Sequence, residues 1–453
     1  MASAATSQRI TRSELLNALS YALDLTEGQP AGHGIRCAWI GMHIGREVGV
    51  PADELTDLYY TLLLKDIGCS SNAARICNLF LTDDIEFKRG IKTVNESLPQ
   101  VLRFVLSHTG MKAGLAERFR ALITTFKESG TIARELVEIR CQRGADIVRR
   151  MRFSEAVATG ILDLDEHWNG KGQPEGLRGE AISLYARIAL ITQVADVFHT
   201  SAGAESARRE VIRRAGTWFD PVLVDAFQTV SAASDFWTAL TAPDLAERLA
   251  ANFGDDGAYL VDDDYLDDVA AAFADVVDSK SPFTAGHSRR VALFTDMIAE
   301  ELGMPEEERR YLRRAALLHD IGKLGVSNQI LDKPGKLDDA EFAVVCNHPG
   351  LGEDILSKIS AFRELARLAG AHHERLDGRG YPRGLTGEAI CPLTRILTAA
   401  DIFDALTADR PYRAAMPVSK ALDIMAQDIG TAIDAVCHAA LCRALVKVEQ
   451  AAA

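Results

Sequence analysis

Five histidines in the second half of the chain stand beside other polar groups at spacings that suit metal chemistry: His287, His319, His348, His372 and His373. His319-Asp320 follows the apolar run Ala315–Leu318. An imidazole and a carboxylate on a buried helix are costly unless something pairs with them. A divalent cation is such a partner, and the two oxygens of Asp320 could bridge two ions. Taken alone, a His-Asp dipeptide is more simply a satisfied hydrogen bond in a core, so the company it keeps has to decide. His372-His373-Glu374 runs into Asp377-Gly378-Arg379-Gly380-Tyr381-Pro382, a Gly/Pro-rich loop that departs from regular helix and lets adjacent imidazoles reach one ion. Asp401 adds a carboxylate after Ala399-Ala400 on an otherwise apolar helix. Lys323 lies one helical turn beyond His319 and can meet a phosphate oxygen. Arg410 and Arg413, three residues apart, can face one way and clamp phosphate. His438 has no such company and is set aside.

Five imidazoles and two carboxylates with no thiolate exclude a structural zinc finger and suit Fe or Mn, with Ni or Zn as further options, in a site that keeps open positions. Two such ions would ready a water for attack and neutralise the oxygens of a phosphodiester. The net charge of −14 argues against nucleic acid or anionic membrane as partner, because an acidic surface repels the phosphates it would need to neutralise. It does not exclude a small phosphate ligand in a locally cationic pocket, which the metals with Lys323, Arg410 and Arg413 would provide.

These residues resemble the HD-GYP family of cyclic di-GMP phosphodiesterases over about 150 residues, from Ser281-Pro282-Phe283-Thr284-Ala285-Gly286-His287-Ser288 to Pro411-Tyr412-Arg413. The motif His-His-Glu-x-x-Asp-Gly-x-Gly-Tyr-Pro is complete at 372–382 and is far more specific than His-Asp. The resemblance implies His287, His319, Asp320, His348, His372, His373 and Asp401 as metal ligands, with Asp320 bridging and acting with Lys323 in catalysis. It implies Lys323, Arg410 and Arg413 as phosphate contacts, and cyclic di-GMP cleaved to pGpG, GMP or both. It also implies that the Gly380-Tyr381-Pro382 loop faces substrate or a partner such as a diguanylate cyclase. Members with a third metal carry a Glu where this chain has Phe283, so two metals are expected. Two other readings stand beside this one: a phosphohydrolase of another cyclic dinucleotide or nucleotide, and a non-catalytic scaffold that docks a cyclase.

The elements that must position these side chains read as helical throughout. Ser13–Leu25, Ala116–Phe126, Thr131–Met151 and Glu306–Leu318 repeat apolar residues every three or four positions, and prolines 51, 221, 305 and 349 sit at segment starts. The fold class expected is all-α, with two tandem HD-type domains. The tandem arrangement follows from an internal repeat. Gly-x-Gly-Gln-Pro-Glu-Gly-Leu-Arg-Gly-Glu-Ala-Ile at 170–182 matches 378–390, while Ala31-Gly32-His33 and Lys65-Asp66-Ile67-Gly68 match Ala285-Gly286-His287 and His319-Asp320-Ile321-Gly322. The first copy therefore holds extra residues between its landmarks. The expected division is a degenerate HD-type domain at 1–242, an acidic linker at 243–262 and a catalytic HD-GYP domain at 263–453. Beyond the core, Gly216-Thr217-Trp218-Phe219-Asp220-Pro221 departs from Gly430-Thr431-Ala432-Ile433-Asp434-Ala435.

Carried across the repeat, His319 becomes Lys65, His348 becomes Arg140, His372 becomes Leu164 and His373 becomes Asp165. Asp401 becomes Gln193 or Asp196, depending on where a gap falls. With only His33 and Asp66 retained, the first copy is expected to be metal-free and to regulate, dimerise or sense a ligand. The eight cysteines form no C-x-x-C pair, the N-terminal residues Met1–Ala5 show no signal-peptide pattern, and no apolar run is long enough to span a bilayer. A cytoplasmic protein, free or as a homodimer, is the expectation.

Overall fold

The computed structural model describes residues 10–92, 103–105, 107–110, 115–253, 261–411 and 413–452. Met1–Ala5, residues 254–260 of the expected linker and Tyr412, all invoked above, lie outside them. Among the described residues the architecture is helical, with isolated bridges and no extended strand. The all-α expectation holds, and its start signals act as anticipated. Thr11 caps the helix Arg12–Thr26 by accepting from the Glu14 amide at 3.1 Å. Pro51 and Pro305 precede the helices Ala52–Leu64 and Glu306–Leu318, and Pro221 and Pro349 lie in first turns. Two predicted segments, Ala116–Phe126 and Thr131–Met151, merge into one helix, Leu115–Arg150. The stretch between them contains no proline, and its lone Gly130 does not stop a helix.

The chain divides into two compact units, Arg9–Val261 and a second comprising Asp262–Ala453. The expected linker at 243–262 is corrected by this division. Leu245–Phe253 is a helix of the first unit whose Leu245, Leu249 and Phe253 are buried at a four-residue period. The Phe253 ring packs on Trp39 and His43, and Arg46 lies 3.8 Å over it. Asp262, Asp263 and Asp264 start the next helix. Asp262 caps Asp263–Asp278, while Asp263 and Asp264 occupy its positive end.

Both units are built on the same three helices. In the first these are His33–Glu47, Ala52–Leu64 and Leu184–Ala202; in the second, His287–Glu301, Glu306–Leu318 and Pro392–Thr407. In each, the first of the three packs on both others. The 216–220 and 430–434 stretches, although different in sequence, make the same turn. Ala215 bridges Phe219 and Ile429 bridges Ile433, and the carbonyls of Thr217 and Thr431 accept from Asn169 and Asp377 at 2.9 Å. The extra residues of the first unit form the helices Ala73–Phe80 and Asp84–Ile91 and a small core of Ile76, Phe80, Phe87, Phe104 and Val105. All eight cysteines are free thiols. No described helix is long and apolar enough to cross a membrane.

Candidate metal centre

Gly286, at φ +69°, starts the helix His287–Glu301 so that His287 is its first residue. His319 and Asp320 lie where the helix Glu306–Leu318 gives way to the short 3-10 turn Ile321–Gly325. That turn presses on His348: a Cβ at Gly322 would lie 1.9 Å from the His348 carbonyl oxygen, so no side chain fits there. His372 and His373 follow the helix Arg363–Ala369, and Asp401 projects from Pro392–Thr407. The HD-GYP loop is pinned from within by the buried Glu374, which accepts from the Arg383 and Leu385 amides at 2.7 and 2.8 Å.

These elements bring all seven expected ligand residues into one cluster. The Nδ1 atoms of His319, His348 and His372 each face a carbonyl three residues earlier: Ala316 at 2.6 Å, Val345 at 2.6 Å and Ala369 at 2.5 Å. A carbonyl only accepts, so Nδ1 donates and the Nε2 lone pair is left facing inward. His287 reaches the same state through Asp404, whose Oδ2 lies 2.7 Å from its Nδ1. Asp320 sits between two groups of imidazoles. Its Oδ2 is 3.3 and 3.4 Å from Nε2 of His287 and His319, and its Oδ1 is 3.2 and 3.7 Å from Nε2 of His348 and His372. Asp401 Oδ1 stands 3.4 Å from His287, and the His373 ring packs on His348 and His372. His287–His319–Asp401 and His348–His372–His373 thus form two sets of donor atoms, each close enough to share an ion.

The electrostatics suit a cation. Burial opposes ionisation of Asp320, yet the charges of His319 and Lys323 hold it well below the usual carboxylate range. Asp401 is lowered against burial by His287 and His319. Burial, reinforced by His319 and His348, pushes His372 down to about 3, and burial with His372 and His348 pushes His373 far down. Burial also opposes charge on His287, but the nearby carboxylates of Asp320, Asp404 and Asp401 carry it up to about 9. Three buried atoms at the centre, His287 Nε2, His319 Nε2 and Asp320 Oδ1, have no hydrogen-bond partner. Buried polar atoms are normally satisfied, so an inward-facing set of this kind fits a pair of metal ions.

The phosphate contacts divide differently. Lys323 Nζ donates to Asp320 Oδ2 at 2.6 Å from the edge of the cluster. Arg410 and Arg413 do not share a helix face. They close a tight turn beyond Pro392–Thr407, bonded amide to carbonyl at 2.8 and 3.1 Å. The Arg413 guanidinium donates to the carbonyls of Ala405, Leu406 and Ala414, which satisfies the end of that helix. The three-residue spacing suggested a helix that had already ended. His438 bonds the Leu422 carbonyl, away from the cluster. Asp404 was not singled out. Its signal lay in the repeat, where Asp196 stands 208 positions earlier and His33 is kept with it.

In the first unit the same scaffold carries other residues. Asp196 takes the place of Asp404, 2.6 Å from His33 Nδ1, which leaves Gln193 at the position of Asp401. A Cβ at Gly68 would lie 2.0 Å from the Arg140 carbonyl, so Arg140 stands for His348. Lys65 Nζ is 3.1 Å from His33 Nε2 and is paired with Asp66, while Arg140 is paired with Asp165. Two clusters of ligand-type groups remain there, His33–Cys37–Asp196 and Glu27–Asp66–Cys69. Protein cations already serve their carboxylates: Arg36 on Asp196 at 2.7 Å, Lys65 on Asp66 and Lys92 on Glu27 at 2.6 Å. Burial pushes both thiols up, Cys37 to about 12, which keeps them protonated.

Residues 112–223 and 271–436 match the HD domain family model. The chain is 55% identical over 434 residues to 3'3'-cGAMP-specific phosphodiesterase 3 of Vibrio cholerae, covering 96% of this chain and 94% of that protein. The crystal structure of the cyclic GMP-AMP specific phosphodiesterase V-cGAP3 of V. cholerae superposes with a TM-score of 0.66 at 50% identity, covering 96% and 97% of the two chains. The cyclic di-GMP phosphodiesterase response regulator RpfG of Xanthomonas campestris is 41% identical over 169 residues, which is 37% of this chain and 45% of that one.

Proposed function

The chain belongs to the HD domain family, with an HD-GYP motif in its C-terminal unit, and from that premise we propose that it is a metal-dependent phosphodiesterase that opens 3'3'-cGAMP. The observation that carries this reading is the division of Asp320, one oxygen toward His287 and His319 and the other toward His348 and His372. In this proposal His287, His319 and Asp401 would hold one divalent cation and His348, His372 and His373 the second, with Asp320 available to both. Such a pair of cations supplies an activated water and neutralises the phosphodiester.

The residues of the chain do the rest. The carbonyls of Ala316, Val345 and Ala369 and the carboxylate of Asp404 hold the Nδ1 protons and fix each ring. Lys323 places an ammonium beside Asp320, where a phosphate oxygen must lie, and Arg410 supplies a further contact at the rim. Arg413 positions the turn that bears Arg410. Burial of His287, His319, His348 and His372 keeps bulk water from competing for the donor atoms. Hydrolysis adds water to one phosphorus and breaks one P–O bond to the ribose, giving a linear dinucleotide.

The substrate expected from the motif alone was cyclic di-GMP. Preference moves to 3'3'-cGAMP, the other cyclic dinucleotide reading, because the V. cholerae relative specific for it is similar along both units, whereas RpfG matches about a third of the chain. The test is turnover by the full chain loaded with Mn or Fe(II), offered 3'3'-cGAMP and cyclic di-GMP in parallel, with products separated by chromatography. At least tenfold faster opening of 3'3'-cGAMP is expected. Equal or faster opening of cyclic di-GMP would replace the substrate, and turnover of neither by metal-loaded protein would leave the scaffold reading.

A further inference from the structure

The first unit contains a cavity of about 400 Å³ at the place corresponding to the metal cluster of the second. Arg140, Asp165 and Gln193 line it, and they occupy the positions of His348, His373 and Asp401. Cys69 lines it at the position of Lys323. The space has therefore been kept while the ligand atoms have been exchanged.

Two independent features show what such a space would take. The first is charge. Lys88, Lys92, Arg140 and Lys171 line the cavity against Glu27 and Asp165, an excess of two positive charges in a chain that is strongly acidic overall. Glu27 is met by Lys92 at 2.6 Å and Lys88 at 3.7 Å, and Asp165 by Arg140. The exposed Lys171 is left to balance an anion from outside. The second feature is the origin of the walls. Lys88 and Lys92 come from the segment that the second unit lacks, and so does the apolar side formed by Ile76 and Phe87. Leu136 and Val194 continue that side. Along the polar side, Arg140 Nε, Gln193 Oε1 and Asn72 Oδ1 are buried without a hydrogen-bond partner. A half-apolar, half-cationic cavity with unused donors and acceptors matches a flat base joined to a phosphate.

We propose that this cavity is a second nucleotide site, which binds a phosphorylated nucleotide without metal and without cleaving it. Lys92, Arg140 and Lys171 face the phosphate, Gln193 and Asn72 meet polar edges of the base, and the Ile76–Leu136–Val194 wall packs on its faces. The occupant comes either from the cyclic dinucleotide pool or from its hydrolysis products, which share this chemistry. The inference goes beyond the proposed catalytic function and does not need turnover to be tested.

The experiment is calorimetric titration of the full chain carrying His319→Ala and His348→Ala, in EDTA, with 3'3'-cGAMP, GMP and inorganic phosphate as separate probes. One site per chain is expected for a nucleotide, with phosphate alone at least tenfold weaker. Lys171→Glu, at an exposed position where folding is not at stake, should weaken binding at least tenfold, and raised salt should weaken it further. Tighter binding of 3'3'-cGAMP than of GMP would assign the substrate pool as the source, and the reverse order would assign the products. Absence of binding by both nucleotides, binding unaffected by Lys171→Glu, or phosphate binding as tight as nucleotide binding would each overturn the proposal. Loss of catalysis in the metal-loaded wild type would leave this result untouched, so the two readings fail separately.

Discussion

The His319 position of the second unit and the Lys65 position of the first occupy the same corner of the same scaffold. In one, an imidazole turns an unpartnered Nε2 toward a shared carboxylate. In the other, an ammonium fills that space and contacts both the retained histidine at 3.1 Å and the retained aspartate. The difference teaches that support and chemistry are specified by separate residues. The support survives in both units. It consists of a histidine held by a distant aspartate at 2.6 or 2.7 Å, an arginine on that same aspartate, and a glycine where a Cβ would strike a carbonyl. At this corner the donor atoms changed, and a lysine's fixed charge neutralises the buried carboxylate that a cation would otherwise meet.

The sharpest way to break this comparison is to convert one corner into the other. His319→Lys should carry the ammonium into the second unit, expel metal and lower turnover by more than about a thousandfold while the helices persist, since several kcal/mol of transition-state stabilisation leave with the ions. Metal analysis, turnover and circular dichroism would follow it; undiminished metal content would separate Lys65 from any role in excluding metal. The reverse change, Lys65→His, should produce no turnover, because Arg140, Leu164, Asp165 and Gln193 still stand where four ligands would be needed.

Metal removal should come next in size. A ligand bound at about a thousand times its dissociation constant stabilises the folded state by about 4 kcal/mol. Chelation should therefore accelerate amide hydrogen exchange strongly in peptides containing 319–325 and 348–356, and leave those containing 65–69 and 140–150 unchanged. Equal acceleration in both would mean that the first unit also holds metal.

A smaller effect is expected from Asp404→Asn, which keeps the shape but removes the carboxylate behind His287. Loss of such an outer partner costs about 10- to 100-fold in metal affinity, whereas Asp196→Asn should alter stability without altering metal content. An Asp404→Asn protein with wild-type metal affinity would reduce Asp404 to a structural partner of Arg290.

The repeat offset made most of the correspondence between the units legible, but a gap left Asp401 aligned with either Gln193 or Asp196. The hydrogen bond from His33 to Asp196, parallel to that from His287 to Asp404, settled the register. The helix Leu245–Phe253 was also written in the sequence, as three apolar residues four apart, but the acidic residues around it suggested a linker. The Arg410–Arg413 pair failed for a different reason. Spacing predicts a shared face only if the helix continues, and Pro392–Thr407 ends before them.

By itself the sequence determined the helical class, the duplication, the identity of the clustered imidazoles and carboxylates, and the loss of ligands in the first copy. These are all properties of residue type and order, which periodicity and internal repetition expose directly. Only the tertiary structure decided that Asp320 gives one oxygen to each set of histidines, that Asp404 stands behind His287, and that the first unit keeps a cationic cavity where its ligands were lost. Those facts depend on side chains from tens to more than a hundred residues apart meeting at distances of about 3 Å, and packing in three dimensions, which no linear pattern records, sets such distances.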